Sequence, residues 1–488
     1  MKARSLLVAI SAVLGSACAG RSVAVEVPSA APALGPGELA AWASPPAPAP
    51  DVVRRLPLTI RRATLDNGMH VTVIARPGTS TTAIALRVPT MRDSSTGPIA
   101  VMAEALRAGT RQGSDEMLIN PKLGRGIDIA TSNTGTTFSW EVLPQASETA
   151  VRLLGAFVLS PAFNPPDVAV WQHQEHAQIL RYSTSFARLH DIVHSAFPGL
   201  ERPTPEEDRQ GLVKLTPTVL RAVHACTLRP EGVELIVAGP VSFEEVQGWA
   251  KAALGGWHAA RRSDDPQCAA WLLPPAPAHP ERARLSRTEL QIVYGRSDPV
   301  VLVSVLGPDP TSEDYLTFSL LTEILVDRGA SASRALRDLG ATYGIHGSSH
   351  DDYVHLSLFD LSGQVDPEAA QESLRKLLAD IHSIADNLEA AELARVVRRW
   401  RNEVVDSLGS NKAAVQWGFW QLRRGREVST LPDLLEEIAH LDLARCRDVA
   451  RRWLSTAQPS IGLMGFGRFE RGLGLDAHVR KFYWDRAF

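Results

Sequence analysis

Histidines spaced three or four residues apart are the side chains of this sequence best suited to chemistry, because neutral imidazole is a common protein ligand of metal ions. HDIVH places His190 and His194 four residues apart, and WQHQEH places His173 and His176 three apart with Glu175 between them. Both spacings bring side chains to one face of a helix. The first pair has no third ligand nearby, and clusters of His and Glu on helices more often form polar surface.

A third group of histidines lies in YGIHGSSHDDYVH, which supplies His346, His350 and His355 within a predicted hairpin. A solvated loop is the simpler interpretation of this segment. The chain also lacks a recognisable Ser/His/Asp or Cys/His signature, and such triads are identified by geometry rather than by sequence. We therefore expect no metal on this chain, with a recruited metal at His173 and His176 left open.

The elements that would position these residues mix strands and helices. Residues 63–75, ATLDNGMHVTVIA, predict a hairpin with a tight turn at Asp66-Asn67-Gly68. Further strands are predicted at residues 82–88 and in two runs within 129–142, and helices at 97–108, 147–159 and 166–180. The pattern indicates an α+β fold with antiparallel strands and helices packed mainly on one face of each sheet.

One longer pattern occurs twice. Residues 215–242 and 441–470 each predict an amphipathic helix, a turn containing proline and an apolar strand ending in glycine. A repeat of this size is a duplicated domain. The predicted organisation is an export signal (1–19), a Pro/Ala-rich tether (20–56), an N-terminal domain (57–260), a linker (261–283), a C-terminal domain (284–474) and a C-terminal tail (475–488).

The N-terminus predicts export. Lys2 and Arg4 precede an apolar segment, residues 5–17, that is too short to span a membrane. Two cleavage sites remain open: the small-x-small sequence Ala17-Cys18-Ala19, and LGSAC, which resembles a bacterial lipoprotein box in which Cys18 would be acylated. Either one places the protein in the periplasm or at the outer membrane of a Gram-negative bacterium.

Composition and cysteine content narrow the class of protein. The chain is 44% hydrophobic and 22% charged with a net charge of −3, which is typical of a soluble globular protein and gives no basic surface for nucleic acid. Beyond the signal, Cys226, Cys268 and Cys446 are an odd number of cysteines far apart. That pattern predicts small packing side chains rather than a disulfide framework.

Several segments, in their order and spacing, resemble the M16 (insulinase or pitrilysin-like) peptidase family in its short two-domain form. The resemblance covers nearly all of residues 58–474. It rests on TLDNGMHVTVIARPG, GPIAVMAEALRAGT, LPQASETAVRLLGAFVLSPAF, HACTLRPEGVELIVAGPVSFEEVQGWAKAALGGW and FSLLTEILVDRGASASRALRDLGATYG. It implies two duplicated domains, each with a mixed sheet covered by helices.

The resemblance also implies which chemistry is missing. Active members carry His-x-x-Glu-His on the first-half helix, where two histidines hold Zn²⁺ and the glutamate activates the bound water. Here those positions hold Ala100, Ala103 and Glu104, and the distant glutamate ligand falls near Ala177. An alanine side chain can neither ligate a metal nor accept a proton. The chain therefore resembles the non-catalytic subunit of a heterodimer.

A second motif of the family suggests a remaining role. The second domain of many members binds the substrate backbone through an Arg and a Tyr in a motif similar to L-R-E-x-x-G-x-x-Y-G. LRDLGATYG retains Arg337 and Tyr343 but is one residue shorter between the acid and the glycine. By this resemblance the chain would bind unfolded peptides beside a separate, zinc-bearing catalytic M16 subunit.

Two other functions stay open at this point. The chain could be a structural or peptide-binding envelope protein without proteolysis, since core proteins of a respiratory complex resemble this family. It could also be a peptidase with a rebuilt metal site.

Overall fold

The computed structural model describes residues 58–89, 127–132, 134–183, 186–200, 204–259, 268, 283–294, 299–338, 342–350, 355–365, 370–465 and 476–483. All of them belong to one compact unit, Val53–Phe488. The predicted export signal, Cys18, the tether and the helix at residues 97–108 lie outside the described residues. No described helix is long and apolar enough to cross a membrane.

The first half of the chain forms a six-stranded mixed sheet in the order β1-β2-β6-β3-β5-β4. Its strands are β1 (Thr59–Thr64), β2 (His70–Ala75), β3 (Thr82–Pro89), β4 (Asp128–Ser132), β5 (Gly135–Val142) and β6 (Glu234–Gly239). The predicted hairpin is confirmed, because Thr64 pairs with His70 and Gly68 has a φ of +85° in the turn. Within the described part of this first sheet, β2 and β6 are the one parallel pair, and the other neighbours are antiparallel.

Six α-helices lie in the described part of this half. They are α1 (Ser147–Leu159), α2 (Pro165–Ser183), α3 (Phe186–His194), α4 (Pro205–Val213), α5 (Pro217–Thr227) and α6 (Phe243–Leu254). Polar side chains start several of them: Thr204 and Ser242 each form a capping box with the glutamate three residues on, which satisfies backbone N–H groups in the first turn. The predicted helix at residues 147–159 is confirmed to the residue.

The second half forms another six-stranded sheet, in the order β12-β7-β11-β8-β10-β9. Its strands are β7 (Thr288–Tyr294), β8 (Val300–Gly307), β9 (Thr342–His350), β10 (Ser357–Val365), β11 (Ser460–Met464) and β12 (Ala477–Tyr483). Its helices are α7 (Tyr315–Asp338), α8 (Ala370–Asn387), α9 (Ala390–Ser407), α10 (Asn411–Arg423), α11 (Leu434–Ala439) and α12 (Leu443–Trp453).

The two sheets repeat one topology, which confirms the predicted fold class. In each, the strand after the repeated helix (β6 or β11) is third in order, parallel to one neighbour and antiparallel to the other. The outer strand beside β7 differs from the sequence expectation. Residues assigned to a C-terminal tail form β12, which pairs in parallel with β7.

The halves share buried apolar surface. Ile74, Ala85 and Ile236 of the first sheet belong to the same buried cluster as Phe419 of α10 and Leu435 of α11. A separate cluster lies between the first sheet and helices α1 and α6. Helix α10 therefore packs on the first sheet although it belongs to the second half of the chain.

The cysteine prediction is wrong for one pair. Cys226 in α5 forms a disulfide with Cys268, with Cα atoms 5.4 Å apart, and only Cys446 among the described cysteines is a free, buried thiol. The spacing of 42 residues gave no sign of a bond, because chain folding brings the stretch predicted as a linker back to the end of α5.

Candidate functional site

The positions predicted to have lost catalytic groups lie in two places. Ala100, Ala103 and Glu104 fall outside the described residues. Ala177 lies in α2 and is half-buried. Its methyl group offers no atom that could ligate a metal.

Helix α2 also carries the first pair of predicted histidines. His173 is exposed, and Glu175 and His176 are half-buried. Burial raises the pKa of Glu175, which disfavours the carboxylate form that would bind a cation. Among the described residues, no group of three or more potential ligands includes His173 or His176.

The predicted substrate-binding residues lie on consecutive elements of the second half. Arg337 is the last residue but one of α7, and Tyr343 is the second residue of β9. Their side chains lie outside what the structure describes. Within the described part of the sheet, β9 pairs only with β10, so its backbone forms an edge.

A cavity of about 600 Å³ lies between the first sheet and α10. One wall consists of β3, β5 and the edge strand β4, which contributes Asp128 and Thr131. The opposite wall is α10, which contributes Phe419 together with the cationic side chains Lys412 and Arg423. The cavity thus combines an exposed strand edge with apolar and charged groups.

A second cavity of about 500 Å³ lies along a neighbouring face of α10. It is lined by Trp400, Trp417 and Trp420 and by Ser349 of the edge strand β9. Gln416 and Arg423 line both cavities, so the two cavities adjoin along α10. The edge strand β4 borders the first cavity, and the edge strand β9 borders the second.

Four ligand-type side chains meet at a different place, where α3 packs on the second sheet. They are His190, His194, His350 and Asp360, and their ligand atoms all lie within 4.8 Å of one another. His190 Nδ1 and His194 Nε2 each lie 2.9 Å from Asp360 Oδ2, and His350 Nε2 lies 3.0 Å from the same oxygen. The Asp360 side chain is fully buried, whereas that of His350 is 31% exposed.

The electrostatics of this histidine cluster favour an ionised Asp360. Burial would raise the pKa of the carboxyl, but the charge of His194 and hydrogen bonds from the three imidazoles outweigh it and hold the pKa well below its usual value. Asp360 is thus a carboxylate held among three imidazoles.

Sequence reasoning found the histidines but not the cluster. It treated His190 and His194 as a pair without a third ligand and His350 as part of a solvated loop, and it did not consider Asp360. The available signal was Asp360 itself, a lone acid in the apolar strand LSLFDLSG. His355, which belongs to the same predicted hairpin as His350, lies outside the cluster: its Nδ1 is 3.0 Å from Asp309 Oδ2.

Comparison with known proteins agrees with this architecture. Residues 214–399 match the family model described as the peptidase M16 inactive domain. No curated protein matches the chain in sequence.

Three solved structures illustrate the likeness in fold. A protease from Helicobacter pylori has a TM-score of 0.70 at 14% identity, over 83% of this chain and 99% of that chain. The first half of the periplasmic protease PqqL from Escherichia coli has a TM-score of 0.63 at 12% identity, over 84% and 93%. A peptidase M16 inactive domain from Pseudomonas fluorescens has a TM-score of 0.68 at 17% identity, over 83% and 98%. The TM-scores show a shared fold.

Proposed function

Because residues 214–399 match the model of the peptidase M16 inactive domain, we propose that the chain is a member of that family and the non-catalytic, substrate-binding subunit of an exported M16-type zinc peptidase. A separate catalytic subunit would supply the zinc and the general base. This chain would form the other side of a chamber and hold an unfolded peptide.

The edge strand β4, which borders the cavity against α10, is the observation that carries this proposal. An extended peptide can pair with an edge strand through main-chain hydrogen bonds, while pockets beside the strand receive alternate side chains. A volume of about 600 Å³ is within the range of sites that enclose small ligands, so it accommodates a few peptide residues rather than a folded protein.

Charge and aromatic groups in the second half support the same role. Arg337 would donate charge-assisted hydrogen bonds to peptide carbonyls or a carboxylate, and Tyr343 would supply a phenolic donor. Tyr343 lies near the start of β9 and Arg337 at the end of the helix before it, and Ser349 near the other end of β9 lines the cavity with the three tryptophans. Aromatic walls suit peptides with large apolar side chains.

The cellular location that we propose is the periplasm or the outer membrane, with Cys18 as a lipid attachment point if the lipoprotein signal is used. The Cys226–Cys268 disulfide supports export, because such bonds persist in oxidising compartments. The neighbour PqqL is described as a periplasmic protease, which is consistent with the same compartment.

The proposal is tested on the protein extracted gently from its own cell envelope. Native mass spectrometry should find a heterodimer with a second M16 subunit that retains His-x-x-Glu-His. In that complex, Arg337→Ala should lower kcat/KM for an unfolded peptide about 10-fold or more, since a hydrogen bond from a charged group contributes about 1.5–3 kcal/mol.

Arg375→Ala is the matched control, because it removes an exposed arginine of α8 whose partner is Glu372 on the same helix. It should leave kcat/KM unchanged. A heterodimer whose turnover ignores Arg337→Ala would indicate a scaffold, and a chain that purifies only as a monomer or homodimer would contradict the two-subunit mechanism.

A further inference from the structure

The hydrogen bonds of the histidine cluster are distributed unevenly over the two oxygens of Asp360. Three imidazole nitrogens converge on Asp360 Oδ2, an oxygen with two lone pairs, whereas Oδ1 is buried and accepts no hydrogen bond from the described residues. Buried carboxylates normally spread their partners over both oxygens, because each unsatisfied polar atom costs free energy. The arrangement instead resembles ligand atoms grouped around one centre.

We propose that His190 Nδ1, His194 Nε2, His350 Nε2 and Asp360 Oδ2 bind one Zn²⁺ and thereby pin α3 to β9 and β10. In a tetrahedral site with bonds of about 2.0–2.1 Å, neighbouring ligand atoms lie about 3.3 Å apart. The nitrogens lie 2.9–3.0 Å from Oδ2, so small outward movements of the side chains open space for the ion.

The fold builds this geometry from regular elements. His190 and His194 are four residues apart on α3, which places both imidazoles on the face toward the sheet. On the sheet, Asp360 pairs with Ser348 of β9 on one side and with Ser304 of β8 on the other. These small side chains leave room around the carboxylate, and β9 ends at His350 one diagonal step away.

Apolar packing encloses the histidine cluster on both flanks. Leu189 and Val193 of α3 pack with Leu302 of β8 in one buried cluster. Phe197, which follows α3, packs with Leu358 of β10 in another. The ligands therefore sit in a polar gap within an apolar interface, where low dielectric strengthens their attraction to a cation.

The ligand set indicates a structural zinc site rather than a catalytic one. Three imidazoles and one carboxylate are a borderline-soft donor set that suits Zn²⁺, and four protein ligands leave no open position for a reacting water. Within the described residues this is the one group of three or more His, Cys, Asp or Glu side chains placed to hold a metal. A zinc ion here would contradict the expectation of a metal-free chain.

This site does not depend on the proposed peptide binding. Residues 343 and 350 lie at opposite ends of β9, roughly 23 Å apart at about 3.3 Å per residue. A chain that binds zinc at the histidine cluster but no peptide would leave the site intact and contradict only the subunit function.

The test uses the full mature chain, purified without a polyhistidine tag, stripped with a chelator and dialysed against micromolar ZnSO₄. Metal analysis should find one zinc per chain in the wild type. His190→Gln combined with His350→Gln removes two partly exposed ligands without emptying the core. It should weaken zinc binding more than about 100-fold, since changes to groups that only orient a ligand already cost 10–100-fold.

His346→Gln combined with His355→Gln is the matched control, because it removes two histidines of the same hairpin that lie outside the cluster. It should retain one zinc. Co²⁺ should give the intense visible absorption of tetrahedral cobalt in the wild type and the control, but not in the His190/His350 variant. Absence of bound zinc in the wild type, or equal zinc in both variants, would overturn the proposal.

Discussion

At the scale of single residues, the chain places one ionisable group inside an otherwise apolar strand. Alanine at position 177 has no atom that can ligate, whereas Asp360 places a carboxylate in a fully buried position. Taking a charge out of water costs several kcal/mol unless partners surround it. The three imidazoles supply those partners, so the folded state tolerates an acid where the strand is otherwise apolar.

Cys446 is a titratable group whose burial predicts its reactivity. Burial raises the pKa of this thiol to about 12, so it stays protonated and unreactive in the folded chain between pH 7 and pH 9. We expect iodoacetamide to leave Cys446 unmodified in the native protein and to modify it fully in urea, as measured by intact-mass spectrometry. Rapid labelling at pH 8 without denaturant would contradict the burial.

The same raised pKa predicts a loss of stability in alkali. The unfolded thiol ionises near pH 9, whereas the folded thiol does so near pH 12, so the unfolded state loses its proton first as pH rises. The contribution of Cys446 to the free energy of unfolding is therefore fully present below about pH 9 and diminishes above it. A Cys446→Ala variant should show a shallower decline between pH 9 and pH 11.

At the scale of elements, close approach of α3 to the second sheet depends on Gly462 of β11. A Cβ atom there would lie 2.6 Å from Val193 and 2.8 Å from Leu189, closer than real contacts allow. Gly462→Ala should therefore push α3 outward and lower the free energy of unfolding by about 1–3 kcal/mol, the usual cost of overpacking. Urea unfolding followed by circular dichroism measures this.

Gly248→Ala is the control for that change, because a Cβ at position 248 of α6 meets nothing within 4 Å. It should be neutral or stabilising, since alanine favours a helix. If Gly462→Ala also weakens zinc binding while Gly248→Ala does not, the position of α3 governs the histidine cluster. Equal free energies of unfolding for the two variants would show that α3 can move away from the added methyl group without cost.

Elements with a strong local pattern could be predicted from the sequence. Turn chemistry and periodicity, which are local properties, predict the hairpin of β1 and β2 around Gly68 and also helix α1. Strand β12 could not, because its partner β7 lies far earlier in the chain and pairs in parallel. The histidine cluster escaped for the same reason: Asp360 lies 170 residues from His190 and 166 from His194.

At the scale of the whole molecule, the two similar sheets contribute to one buried apolar cluster, and helices α10 and α3 each pack across from one half to the other. Helix α10 packs on the first sheet, and Asn411 at its start donates to the Thr81 carbonyl of the first half at 2.6 Å. Helix α3 makes the reverse crossing onto the second sheet. Each half thus contributes one helix that packs on the sheet of the other half, and α10 lines both cavities.

The disulfide links two cysteines that are 42 residues apart in the chain, and its contribution to the stability of the fold can be tested by removing it. Closing a loop of 42 residues lowers the entropy of the unfolded chain enough to stabilise the native state by about 4 kcal/mol. Cys226→Ala with Cys268→Ala should lower the free energy of unfolding by about that amount in urea. Dithiothreitol should destabilise the wild type toward the same value and leave the double variant unchanged, because Cys446 has no disulfide to lose. A double variant as stable as the wild type would mean that closing this loop adds nothing to the stability of the native state.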